Sequence, residues 1–398
     1  MSTKELSARL ASFGASATGV VHNKVNELVR SGQEILSLNV GEPDFDTPET
    51  ARTAGIAAIV GGFTRYTSTN GTAELREVIA EKLARENGLS YAADEICVST
   101  GAKQAIFEAV MAICNEGDEV LIPVPSWVSY SAMTSIAGAK PVLIPSRPDY
   151  SLDLEKIEAA VTPRTKAVII CSPNNPSGAV YSGESLRALA ALAVKYDFFI
   201  ISDEIYEKLI YDGEKHVSIA SVSEEVRERT ITVNGFSKAY AMTGWRIGYA
   251  AARKDIIKAM IKLQGQITSC PNSVAQKAAI GALMGPQDEA EAMVKVFRER
   301  RDFVCGRVSR IPQVSFTAPR GAFYMLVDIS RYLGKAHDGR VIENDVQLCE
   351  YLIDEAHVAL VPGSAFGADG AVRIAYANSM DILSRALDEM EKALLLLK

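Results

Sequence analysis

Between about residues 95 and 250 the chain alternates short apolar runs with stretches of helical periodicity, and this alternation limits the fold more than any other feature. The runs at 95–98, 119–122, 142–144, 167–171, 198–201 and 231–233 read as strands. Between them, Ile106, Val110 and Ile113 share one helical face, and Leu186, Leu189, Ala190 and Ala193 share another. Strands without polar alternation, separated by helices, predict an α/β fold with a mostly parallel sheet covered on both faces. Ligands of such sheets bind at the carboxyl ends of the strands. Residues with chemical potential stand there: Gly101, Trp127, Asn175, Asp203 and Lys238 each follow a strand.

The flanks read differently. Residues 1–40 predict an N-terminal arm, a helix over 20–31 and a short strand over 35–38. VGEPDFDTPE (40–49) is a loop broken by Gly41, Pro43, Asp44 and Pro48, with Pro48 placed to open the next helix. TRYTSTNG (64–71) is a second loop that exposes Tyr66. Beyond about 285, Met293, Phe297, Val304 and Val308 make one stripe of a long helix whose back carries the charged run RERR (298–301). A strand over 321–328, a helix near 343–356, strands over 358–361 and 372–375 and a final amphipathic helix follow. The expected organisation is a large unit over 47–284 and a smaller α+β unit made from 1–46 and 285–398.

Charge narrows the partners. With 42 basic and 49 acidic residues the net charge is −7, which argues against nucleic acid or an anionic membrane as the main partner. The six cysteines form no CxxC pair, so neither a disulfide framework nor a zinc site is expected, and no metal is. No run of about 18 apolar residues spans a bilayer and no apolar leader opens the chain, so the expected location is the cytoplasm.

The segment NGFSKAYAMTGWRIG (234–248) places Lys238 just after a strand and Arg246 eight residues later. A lysine so placed can act as an amine nucleophile, and an arginine nearby can hold a phosphate. Asp203 either caps the following helix or faces a heteroaromatic nitrogen, as pyridoxal phosphate requires. Tyr206 can lie beside it. Asn175 is a turn former or a neutral donor. Trp127 is a core residue or a flat surface for a ring. The stretch Thr100 to Lys103 opens a helix whose N–H groups can receive a phosphate. Arg373, in GAVRIAYA, has no acid nearby in sequence, and its planar fork suits a carboxylate.

Taken together, GEPDFDTP, SPNNPSGAVY, SDEIYEKL, NGFSKAYAMTGWRIGYA and the segment around Arg373 resemble the class I aminotransferases, pyridoxal-phosphate enzymes of fold type I. The likeness is nearest to bacterial aspartate and prephenate aminotransferases and runs from about residue 6 to 390. It implies a large domain with a mostly parallel seven-stranded sheet, a smaller α+β domain and a homodimer. Lys238 would form the Schiff base with pyridoxal 5′-phosphate and then move protons. Asp203 would bind the ring nitrogen, Tyr206 and Asn175 the ring oxygen, and Trp127 would stack on the ring. Ser237, Arg246 and the amides of Gly101, Ala102 and Lys103 would hold the phosphate, with Tyr66 reaching the phosphate of the other subunit. Arg373, Asn175, Trp127 and Gly41 would hold the substrate α-carboxylate. Lys103 and Thr18 match the family's readers of a distal carboxylate, which implies transfer from L-aspartate or another dicarboxylic amino acid to 2-oxoglutarate. A prephenate, aromatic or broad-range aminotransferase, or a β-eliminating lyase, remains an alternative within the same fold.

Overall fold

The apolar runs become strands because each is shut away from water on both faces. The computed structural model describes residues 7–14 and 17–398. Its central sheet has seven strands: β1 (Ile96–Ser99), β2 (Glu119–Val124), β3 (Lys140–Pro145), β4 (Thr165–Cys171), β5 (Phe199–Asp203), β6 (Thr230–Gly235) and β7 (Gly248–Ala251). Their order is β1-β7-β6-β5-β4-β2-β3. β7 runs antiparallel to β1 and β6, and the remaining pairs are parallel. Helices on both faces keep Leu121, Ile122, Val168, Ile200, Ile201 and Ile231 from solvent.

Register places the functional edge. Cys171 lies opposite Asp203, and Asp203 opposite Val233. Gly248 lies opposite both Gly235 and Ser99. The carboxyl ends of β1, β4, β5 and β6 therefore meet at one rim, the rim expected for a ligand.

Several elements depart from the expected pattern. β7 follows directly on the segment that carries Lys238 and Arg246, and its four residues gave no separate strand signal. The helices Ser129–Ile136, Lys254–Ile267 and Ser273–Met284 were also not anticipated. Ser273–Met284 is rich in alanine and buries Ala275, Ala278, Ala279 and Ala282, so it lacks a sharp polar face to reveal it. The helix Ala102–Ile113 ends at Ile113, because Cys114 is already extended. Residues 358–361 form two strands in two sheets. Val358–Ala359 pairs in parallel with Leu36–Ser37, whereas Val361–Pro362 pairs antiparallel with Ala371–Ala375.

The run RERR is not a solvated face. Arg300 and Arg301 are buried on the helix Asp288–Val308. Arg300 grips Asp44 through two hydrogen bonds of 2.6 and 2.8 Å, and Arg301 pairs with Asp212 and Asp302. The small antiparallel sheet, with Ala371–Ala375 between Val361–Pro362 and Tyr324–Asp328, presents Arg373 toward the rim of the large sheet. The N–H of Ala375 donates to Leu38 O at 2.8 Å, joining the N-terminal segment to the C-terminal part of the chain. Among the described residues no helix is long and apolar enough to cross a membrane.

Candidate active site

The spacing of Lys238 and Arg246 follows from a hairpin. β6 and β7 are antiparallel neighbours, so the twelve residues between Gly235 and Gly248 leave the rim and return to it. Lys238 stands near the start of that excursion and Arg246 near its end. Ala241 and Arg246 take positive φ values, +47° and +54°, a sign of a tight path. A Cβ on Gly248 would lie 2.7 Å from the carbonyl carbon of Gly101, so only glycine lets β7 pass beneath the helix Ala102–Ile113. Gly101 itself has φ +81°, and a Cβ there would lie 2.6 Å from an Arg246 guanidinium nitrogen. The helix N-terminus and the arginine are thus packed into a single electropositive corner.

Lys238 Nζ donates to Gly41 O at 2.5 Å. Burial pulls its pKa down to about 8. The Glu42 carboxylate opposes this shift, and the Arg246 and Arg373 charges add to it. Asp203, on the wall of the same cavity, accepts from Tyr130 Oη at 2.7 Å and from the Ile205 N–H at 3.2 Å. Burial outweighs these neutral donors and lifts the carboxyl to about 6. Tyr206 and Tyr324 share a hydrogen bond of 3.0 Å between hydroxyls.

Arg373 is buried and lies 4.4 Å from the centre of the Tyr324 ring. Its guanidinium donates to Asn175 Oδ1 at 3.0 Å and to Asn39 O at 2.8 Å, while Nε has no partner. Among the described residues no carboxylate lies within ion-pair distance, and burial pushes its pKa down. Lys103 sits 5.0 Å from the centre of the Trp127 ring, its pKa lowered by burial and then by Arg246. Trp127 meets Tyr130 edge-on at 5.5 Å.

These groups surround one cavity of about 560 Å³. Its wall includes Thr18, Gly41, Ala102, Lys103, Trp127, Asn175, Asp203, Tyr206, Ser237, Lys238, Arg246 and Arg373. Of the expected site residues, Gly101 stands just behind the wall and Tyr66 lies outside it, 91% exposed. The cavity also recruits His22, Asn39, Glu42, Tyr130 and Tyr324, which were not anticipated. Tyr130 lies three residues after Trp127, in the first turn of the helix Ser129–Ile136, and that helix is the signal that would point to it.

The donor set fits pyridoxal phosphate. Lys103, Lys238, Arg246 and Arg373 outnumber the carboxylates of Asp203 and Glu42, so the cavity favours anions. The Asn39 amide and Arg373 Nε are buried without partners, as in a site completed by a ligand. Asp203 supplies the buried carboxylate that a pyridinium nitrogen needs.

Comparison with known proteins agrees with this geometry. The family described as aminotransferase class I and II matches residues 33–389. A Petunia hybrida protein named bifunctional aspartate aminotransferase and glutamate/aspartate-prephenate aminotransferase is 47% identical, covering 99% of this chain and 83% of its own. The solved structure of a Rhizobium meliloti aspartate aminotransferase superposes with a TM-score of 0.95 at 44% identity, covering 99% of this chain and all of that one. That of a Thermus thermophilus aspartate aminotransferase with maleate superposes at 0.92 with 43% identity, covering 98% and 100%.

Proposed function

The chain belongs to the class I and II aminotransferases, and from this premise we propose that it moves the amino group of L-aspartate, or another dicarboxylic amino acid, to 2-oxoglutarate with pyridoxal 5′-phosphate. The observation that carries the reading is Arg373, a buried guanidinium with no acidic partner among the described residues, which lines the same cavity as Lys103. Two separated cations suit a ligand with two carboxylates.

When bound, the cofactor supplies a carbonyl that condenses with amines and a protonated ring that accepts the electron pair left at the substrate Cα. Arg246, Ser237 and the N–H groups from Gly101 to Lys103 would hold its phosphate, with Tyr66 of a second copy completing the corner. Asp203 would keep the ring nitrogen protonated, and Tyr206 and Asn175 would donate to the ring oxygen. Trp127 would cover the ring face and exclude water. Arg373 and Asn175, with Gly41 alongside, would fix the α-carboxylate, and Lys103 and Thr18 would take the distal one. Lys238 Nζ would remove the Cα proton and return it. An amine whose pKa is near 8 is neutral in a useful fraction of molecules around neutral pH, as a base must be. The amino acid leaves as its oxo acid before the second oxo acid enters. Residues 47–284 would form the cofactor-binding body, with 1–46 and 285–398 as the smaller unit.

A half-reaction panel tests this. Cofactor absorbance would be followed with aspartate, glutamate, alanine and phenylalanine as donors, and with 2-oxoglutarate and prephenate as acceptors. Prephenate belongs in the panel because it stands in the name of the Petunia hybrida relative. Fast conversion by the two dicarboxylic donors is expected. Equal rates with alanine would refute the substrate assignment, and pyruvate and ammonia formed without any acceptor would refute transamination.

A further inference from the structure

We propose that His22 is a further specificity-determining residue, an imidazole donor that the N-terminal helix carries to the side-chain carboxylate of the substrate. This rests on the dicarboxylate reading and adds a group to it. The helix Ala17–Arg30 is held by its later turns, where Val25, flanked by Val21 and Leu28, packs against Ile353 and Ala359. Its first two turns overhang the cavity. Thr18 and His22 are four residues apart, share one edge of the helix, and both line the cavity wall with Gly19.

The imidazole is exposed, and no hydrogen bond or ion pair engages it among the described residues. It has no visible packing role and no structural partner to satisfy, yet it faces the pocket. An imidazole offers an N–H in either protonation state, so it can donate to a carboxylate without first being charged. The other charged groups on the same wall are Lys103, Lys238, Arg246 and Arg373, opposed by Asp203 and Glu42. Lys238, Arg246 and Arg373 are committed to the catalytic proton, the phosphate and the α-carboxylate in the proposed function. That leaves Lys103, Thr18 and His22 around the distal group. Lys103 arrives from the large sheet and His22 from the arm, so the two would close on that group from different elements.

The test compares maleate, a dicarboxylate without an amine, with isocrotonate, the same skeleton with one carboxylate replaced by methyl. Binding to the cofactor-loaded protein is read from the cofactor's absorbance, so turnover is not required. His22→Ala is expected to weaken maleate about tenfold and isocrotonate less than about twofold, the usual size of one lost hydrogen bond to a charged group. His22→Asn, which keeps an N–H donor, should recover part of the loss. Asn23→Ala, one residue along and outside the cavity wall, serves as the folding control. Equal weakening of both ligands, or of neither, overturns the role of His22. Wild-type protein that binds both ligands alike overturns the dicarboxylate reading itself, and His22's role with it.

Discussion

Asp203 and Glu207 are four residues apart, the first buried and the second only slightly exposed, and their carboxyl groups are shifted in opposite directions. Asp203 faces the cavity and meets only neutral donors, and burial lifts it to about 6. Glu207 joins a polar network with Lys82, Asn87, Glu204, His216 and Ser218 that makes no part of the cavity wall. Burial alone would raise it too, but the Lys82 ammonium reverses the shift and holds it at about 2. The cations show the same division. Arg300 is buried against Asp44 in a two-bond fork, whereas Arg373 is buried with no acid in ion-pair contact among the described residues. Where the fold needs an interior charge for itself, it provides the opposite charge. At the cavity it leaves the charge open for a ligand. The network also contains the three-residue cluster Glu204, Glu207 and His216, which has a metal-like spacing, but Lys82 already neutralises Glu207 there.

The largest contrast should come from the two arginines. Arg373→Ala is predicted to lower kcat/KM for aspartate by about 10²–10³-fold, because a buried carboxylate contact is lost. Its melting temperature should hold or rise, since an unpaired buried charge is removed. Arg300→Ala should do the reverse. It should cost about 2–3 kcal/mol of stability, discounted because Asp44 is partly exposed, with kcat/KM changed only a few-fold. Denaturant melts beside steady-state kinetics check both, and similar behaviour of the two variants would break the comparison.

The carboxylates give a smaller effect that depends on pH. Asp203 has a raised folded pKa, so its contribution is fully present below about pH 4 and is lost as pH rises through about 6. Glu207 has a depressed folded pKa, so its contribution is present above about pH 4.5 and is lost as pH falls toward about 2. Cofactor-free protein should therefore lose stability between pH 4 and pH 7, with an Asp203 share of about 3 kcal/mol. Asp203→Asn should remove that slope, and Glu207→Gln should instead flatten the fall on the acid side. Thermal melts across pH 3–8 read both. The smallest expected effect is that of Tyr130→Phe, which deletes the hydroxyl that favours the ionised Asp203. Cofactor dissociation should rise about fivefold, near 1 kcal/mol, as measured by equilibrium dialysis.

These pairs also explain what the sequence could and could not disclose. Lys238, Asp203, Asn175 and Arg373 were legible because each is a chemically distinctive residue at or beside a strand, and a parallel sheet gathers such positions at one rim. The strand and helix alternation was legible for the same reason, since complete burial leaves unbroken apolar runs. Tyr130 was not, because its partner Asp203 is 73 residues away and the helix that aims it carries little apolar periodicity. That Arg300 is an interior residue is not legible in the charged run RERR, because Asp44, which pairs with it, lies 256 positions earlier. β7 was missed because four residues are too few to show a pattern of their own. Tyr66 is exposed and away from the cavity of its own chain, so the role proposed for it would require a second copy.

The most direct test of the central claim is substrate discrimination after one open charge is removed. Single-turnover rate constants for aspartate and phenylalanine would be measured on wild type and on Lys103→Ala. If the unpaired cations select the substrate, the aspartate-to-phenylalanine ratio should fall by about 10–100-fold, chiefly through slower reaction with aspartate. A ratio left unchanged by the substitution would contradict the account.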